Sequence, residues 1–158
     1  MKFFNKTEIE NTRSSFEGKK FPRETLLLHD FFIDCYVLPQ SINPELPDFI
    51  LRMTSKSKRH YLFGISESVP QPFRQYAVAH EVMEFLTIGI ETPHRCVRAL
   101  EKELILVPEE MKPEYMEMRR RFFGNLIPYA SRQPAYFTPQ DLEEFQDSFR
   151  RLTELTKK

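Results

Sequence analysis

The stretch His60-Tyr-Leu-Phe-Gly-Ile-Ser-Glu-Ser-Val-Pro-Gln-Pro-Phe-Arg-Gln-Tyr-Ala-Val-Ala-His-Glu-Val-Met-Glu-Phe-Leu-Thr-Ile-Gly89 changes its period halfway along. Tyr61, Phe63 and Ile65 alternate with the period of two that a half-buried strand requires. From Phe73 to Ile88 no breaker interrupts the chain until Gly89, and the pattern is helical. Ser68 and Gln71 stand at capping-box spacing, with Pro70 where the first helical turn tolerates it. A strand that feeds a helix is therefore expected here.

Upstream, Asp48–Thr54 lies across the polar Ser-Lys-Ser-Lys-Arg tip from His60–Ser66, which predicts a hairpin. His29–Leu38 is rich in aromatic and β-branched residues and stops at Pro39, which predicts another strand. Downstream the chain reads as helix after helix: His94 or Arg95 to Val107, closed by Pro108, then Pro113 to Phe123 or beyond. A last helix opens at Thr138 with Pro139 in its first turn, and Leu142, Phe145, Phe149 and Leu152 form one apolar stripe. This order predicts an α+β fold, a small antiparallel sheet with about four helices. The whole of 1–158 reads as a single domain, with 1–20 a loosely ordered N-terminal segment.

Composition removes several function classes. Lys plus Arg number 23 and Asp plus Glu number 23, so the basic excess of a dedicated nucleic-acid binder is missing. Mean hydropathy of −0.49 and the lack of a long apolar run argue against a membrane protein. The polar turn after Met-Lys-Phe-Phe leaves no signal-peptide core, so a cytoplasmic location is expected. Cys35 and Cys96 are the two cysteines; with no Cys-x-x-Cys pair they make neither a disulfide framework nor a four-thiolate zinc site.

The chemistry is concentrated in one helix. His80 and Glu84 stand four residues apart, on one face and one turn apart. An imidazole nitrogen and a carboxylate oxygen at that spacing reach a single zinc ion, while Glu81, adjacent but rotated, approaches a water on that ion as a general base.

The run Phe73 to Phe85 resembles the active-site helix of small zincin metallopeptidases, including those that cleave repressors, in which Arg, an aromatic residue and Ala precede His-Glu-x-x-His. Ala99-Leu-Glu-Lys-Glu103-Leu-Ile-Leu-Val-Pro108 is similar to the end of their second helix, and the likeness extends from Phe63 to Pro108. It implies a minimal zincin-like fold, a zinc cofactor, and a peptide or protein substrate laid along the edge of the sheet. Glu84 stands where the family has its second histidine. The family's third ligand falls on Cys96 when Ala99 and Glu103 are aligned, and on Val97 when Pro108 is. His94, at the helix start, is a further candidate; Glu91, Glu101 and Glu103 have no matching position. The resemblance implies a zinc hydrolase or peptidase with His80, Glu84 and either His94 or Cys96 as metal ligands and Glu81 as the catalytic base.

Other readings stand beside this one. His80, Glu84, Thr87 and Glu91 form a stripe that could face solvent on any amphipathic helix. A zincin-like scaffold without metal, or a non-catalytic protein or nucleic-acid interaction domain, is the alternative function. The basic runs Lys56–His60 and Arg119–Arg121 could touch phosphate, but acidic neighbours balance the second, which disfavours nucleic acid. The stripe on the last helix is either core or a dimer seam.

Overall fold

The computed structural model describes residues 2–28 and 31–157. The chain divides into two units, Phe3–Val78 and Ala79–Lys158.

The first unit opens with helix α1 (Lys6–Gly18), where the sequence reading expects a loosely ordered segment. The Asn5 side chain accepts the Glu8 N–H at 2.8 Å and Glu8 reaches back to the Asn5 N–H, a capping box that starts the helix. Ile9 and Phe16, seven residues apart and so on one face, are buried. The Phe16 ring meets Tyr36 edge-on at 5.5 Å, and Arg13 donates to the Tyr61 carbonyl at 2.9 Å.

Four strands follow: β1 (Arg23–Leu28), β2 (Phe31–Leu38), β3 (Ile50–Thr54) and β4 (Tyr61–Ser66), in the spatial order β1-β2-β4-β3. The strand expected over His29–Leu38 is β2; His29 and Asp30 lie outside the described residues. The expected hairpin is β3–β4, with Ile50 opposite Ile65 and Thr54 opposite Tyr61. The fold is α+β, but the sheet is mixed where an antiparallel one was expected. β2 and β4 run parallel, Cys35 beside Phe63 and Leu38 beside Ser66, because the chain between β2 and β3 crosses over and leaves β4 as the inner neighbour. Beside β4, Cys35–Leu38 are buried residue after residue, as in a strand covered on both faces, while earlier in β2 the exposed Phe32 and Asp34 alternate with the buried Ile33 and Cys35.

Gln40 pins the crossover. Its side-chain amide donates to the carbonyls of Asn43 and Leu46 at 2.8 and 3.0 Å. Its oxygen accepts the Ser66 and Ser68 hydroxyls at 2.7 and 2.8 Å. The Ser68 oxygen also lies 2.7 Å from Asp48 Oδ1, a second acceptor for its one proton, so its hydroxyl serves this loop. At Gly64 the Leu38 side chain packs onto the β4 backbone: a Cβ there would meet Leu38 Cδ1 at 2.6 Å.

Helix α2 (Gln71–Val82) passes from the first unit into the second and continues as a π-helical segment (Met83–Ile88). In that segment the Gly89 N–H bonds to the Glu84 carbonyl five residues back at 2.9 Å. Gly89 ends it at φ 93°, a conformation open to glycine. Then come α3 (Arg95–Leu106), α4 (Lys112–Ser131) and α5 (Pro139–Thr156). Thr138 caps α5 by accepting the Asp141 N–H at 3.1 Å, as its sequence predicts. α5 lies along α3 and α4. Its Phe145 and Leu152 are buried, and Gly124 on α4 makes room for the Phe149 ring, 3.2 Å from where a Cβ would stand. Among the described residues, no helix is long and apolar enough to cross a membrane.

Candidate metal centre

The polar stripe of α2 points inward. His80 and Glu84 are each 2% exposed, so the solvent-facing reading of that stripe fails for its two central residues. Thr87 and Glu91, further along, do lie at the surface. His80 occupies the last turn of α2 and Glu84 the π-helical segment; π-helical turns are frequent at functional sites.

α3 brings the third donor. Cys96, in its first turn, places its sulfur 3.6 Å from His80 Nε2. One donor atom from each of His80, Glu84 and Cys96 lies within 4.8 Å of the other two. His94, the other candidate third ligand, is not in this group. It sits at the N-cap of α3 with φ 61°, its side chain is 67% exposed, and its Nδ1 is 3.6 Å from Asp147. Two residues of helix start are enough to turn it outward. Glu81 is half-buried and outside the group, and its charge acts on Arg119.

Each donor is held from behind. His80 Nδ1 is 2.7 Å from Glu103 Oε1, while Nε2 is 3.0 Å from Glu84 Oε2. The other Glu84 oxygen accepts from Arg95 Nε at 3.1 Å. Ser148 donates its hydroxyl to the Cys96 sulfur at 3.0 Å. Glu103 in turn accepts from Arg119 Nε at 2.7 Å and from the Tyr115 hydroxyl, and Arg95 also pairs with Asp141. The Arg119 guanidinium lies 5.1 Å from the ring centres of both Phe122 and Phe123. Arg119 is thus an interior ion-pair partner, and Arg120 pairs with Glu117 at the surface, so two arginines of the basic run are committed within the chain.

Sequence reasoning missed most of this shell. α5 contributes Asp141, Glu144 and Ser148, spaced three and four apart and all buried. Glu144 accepts the N–H groups of His94 and Cys96 at 3.1 and 2.9 Å and so holds the N-terminus of α3. The signal lay in the last helix beside its apolar stripe, as a polar stripe of the same helical spacing.

Four buried carboxylates, Glu84, Glu103, Asp141 and Glu144, face Arg95, Arg119 and the His80 ring. Burial works against charge on His80, but the Cys96 sulfur and the Glu103 and Glu84 carboxylates outweigh it and hold the imidazolium well above its ordinary value. Burial and the Glu84 charge push the Cys96 thiol up, against the pull of His80 and Ser148. Burial would raise Glu103, yet Arg119 and His80 bring it below the ordinary carboxylate value. Asp141 is lowered against its burial by the Thr138 N–H and by Arg95. Among the described residues, no buried side-chain nitrogen or oxygen lacks a hydrogen-bond partner.

These shifts fix how stability follows pH in metal-free protein. Glu103 and Asp141 are depressed, so their contribution is present above the ordinary values of 4.5 and 3.8 and is lost as pH falls through the folded values. His80 is raised, so its contribution is complete below 6.5 and is lost as pH rises through the folded value, by about 1.4 kcal/mol per unit. Urea midpoints taken with chelator present will therefore decline on both sides of a maximum near pH 5–6. A midpoint still climbing from pH 7 to 9 would contradict the His80 assignment.

The three side chains form a donor set that could hold a metal ion. One imidazole nitrogen, one carboxylate oxygen and one thiol are ordinary zinc ligands. A histidine ligand whose second nitrogen is tied to a carboxylate, as His80 is to Glu103, is the usual supporting arrangement. Charge also fits: a divalent ion taking the place of the Nε2 proton of His80 and the thiol proton of Cys96 leaves the buried network with the same net charge. Family models, curated proteins and solved structures were all compared with this chain, and none matches it.

Proposed function

We propose that this chain is a zincin-like, zinc-dependent hydrolase of peptide or other amide bonds, with His80, Glu84 and Cys96 as metal ligands. The observation that carries the reading is the convergence of three donors, each with its own supporting partner, in an interior where, among the described residues, every buried side-chain nitrogen and oxygen is hydrogen-bonded. Three protein ligands are the number found in catalytic zinc sites, which keep one position for water or substrate; structural sites take four. A bound zinc ion supplies Lewis acidity and lowers the pKa of water toward about 7.

The protein's own groups do the rest. Glu103 fixes the tautomer and orientation of His80, Arg95 orients Glu84, and Ser148 holds the Cys96 sulfur. Glu81, one residue beyond the first ligand, is the carboxylate assigned to accept the proton of the attacking water. We place the protein in the cytoplasm, where reducing conditions keep Cys35 and Cys96, both buried and unpaired, as thiols.

A closed metal centre in a non-catalytic interaction domain is the second reading. It is favoured by the burial of all three donors, at 2, 2 and 1% exposure, and by the place of Glu81 outside their group.

Plasma mass spectrometry of the purified protein decides the metal. One zinc per chain is expected, retained in Glu81→Gln and His94→Ala and lost in His80→Ala, Glu84→Ala and Cys96→Ala. Zinc loading of His80→Ala equal to wild type overturns the site. A peptide-library digest read by mass spectrometry then separates the two readings. Cleavage that falls about 10²–10⁴-fold in Glu81→Gln supports the hydrolase; zinc-loaded protein that cleaves nothing supports the closed centre.

A further inference from the structure

Ser148 is fully buried in the middle of α5, and its hydroxyl has an unusual destination. A helical Ser or Thr hydroxyl commonly turns back to the carbonyl four residues earlier. Two neighbours on the same helix do so: Thr153 donates to Phe149 and Thr156 to Leu152, each at 2.8 Å. Ser148 instead donates across to the Cys96 sulfur at 3.0 Å. A thiol sulfur is a weak acceptor, so this choice gives up a good oxygen acceptor for a poor one. The exchange becomes favourable when the sulfur carries negative charge, because a charge-assisted hydrogen bond is roughly twice as strong as a neutral one.

The need for such a donor is local. The Glu84 carboxylate occupies the same small space, so a thiolate at Cys96 faces a like charge. His80 Nε2 lies 3.6 Å from the sulfur on another side, facing the space a metal ion would take. From the α5 side, Ser148 is the donor the structure gives to Sγ, and Glu144 holds the Cys96 backbone N–H that sets where the sulfur points.

We infer that Ser148 is a positioning and selectivity residue of this centre: its hydroxyl stabilises Cys96 as a thiolate ligand and so favours thiophilic ions such as zinc and cobalt over oxygen-preferring ions such as manganese. The inference rests on the metal-binding reading above and goes beyond it by naming the residue that makes sulfur an effective ligand beside a carboxylate.

Cobalt(II) alone is the probe, titrated into the full chain after metal removal. Its sulfur-to-metal charge-transfer band in the near ultraviolet reports the thiolate bond directly. In Ser148→Ala the band is expected to move to lower energy, since an unbonded sulfur donates more strongly. Cobalt affinity is expected to fall by about 10–100-fold, the usual effect of removing a partner of a metal ligand. Ser148→Thr, which keeps the hydroxyl, restores both, while manganese affinity changes less than cobalt affinity in Ser148→Ala. Ser148→Gly, a second variant without the hydroxyl, reproduces the alanine result, and circular dichroism checks that each variant is folded.

The outcomes are distinct. A wild-type band with Ser148→Ala unchanged in position and affinity overturns the role of Ser148 and leaves the metal centre standing. Cobalt bound without a charge-transfer band removes Cys96 as a ligand, and the inference with it. No cobalt bound by wild type overturns the centre itself.

Discussion

Glu103→Ala will lower the unfolding free energy by about 3–5 kcal/mol, the effect expected when one partner of a buried ion pair is removed. Glu103 is fully buried and is the single acceptor on which Arg119, Tyr115 and His80 converge. Its loss leaves the Arg119 guanidinium in the interior without its carboxylate and frees the His80 ring to turn. Against a typical total of about 5–15 kcal/mol, that is a large part of the stability of the chain. Urea denaturation followed by circular dichroism measures it. Glu117→Ala, on the exposed partner of Arg120, serves as the control and should leave the transition where it is. If the two variants unfold together, Glu103 is not the structural centre of the network.

Asp141→Ala is expected to have an effect of similar size for a different combination of reasons. One Asp141 oxygen accepts the Thr138 N–H at 2.8 Å and completes the capping box of α5, worth about 1 kcal/mol. The other pairs with Arg95, whose loss of a buried partner adds about 3 kcal/mol. The two parts can be separated. Asp141→Asn keeps an oxygen acceptor for the cap and removes the charge, so it should recover the smaller part only. Arg95 then leans on Glu84 alone, and zinc affinity should fall alongside stability; a variant that loses neither would show that Arg95 is satisfied without Asp141.

Local signals in the sequence account for much of this fold. Alternation at Tyr61, Phe63 and Ile65 marks β4, Gly89 ends the helical run, and Thr138-Pro139 starts α5 where it begins. What stayed hidden depends on residues far apart in the chain. The parallel pairing of β2 with β4 follows from a crossover that no local pattern announces, and β1 carried no expectation at all. α1 was legible in Asn5-x-x-Glu8, but its thin apolar face, with Ile9 and Phe16 as the buried residues, gave little periodicity.

The site divides the same way. The spacing of His80 and Glu84 put two donors on one face, but it could not say which way that face points. Cys96, by alignment with the family, and His94, at the helix start, both stood as candidates, and a left-handed residue at the start of α3 separates them by turning one out and the other in. Asp141, Glu144 and Ser148 lie 46 to 52 residues from the groups they hold, so only the folded chain reveals them.

The grip of Glu144 on the start of α3 has a further meaning for what can bind. The free N–H groups at a helix start are a ready-made cradle for phosphate or for a substrate carboxylate. Here two of those groups, on His94 and Cys96, are occupied in advance by a carboxylate from the same chain. The protein therefore acts as its own anionic ligand at that cradle, and small anions from solution compete there against a group tethered in place.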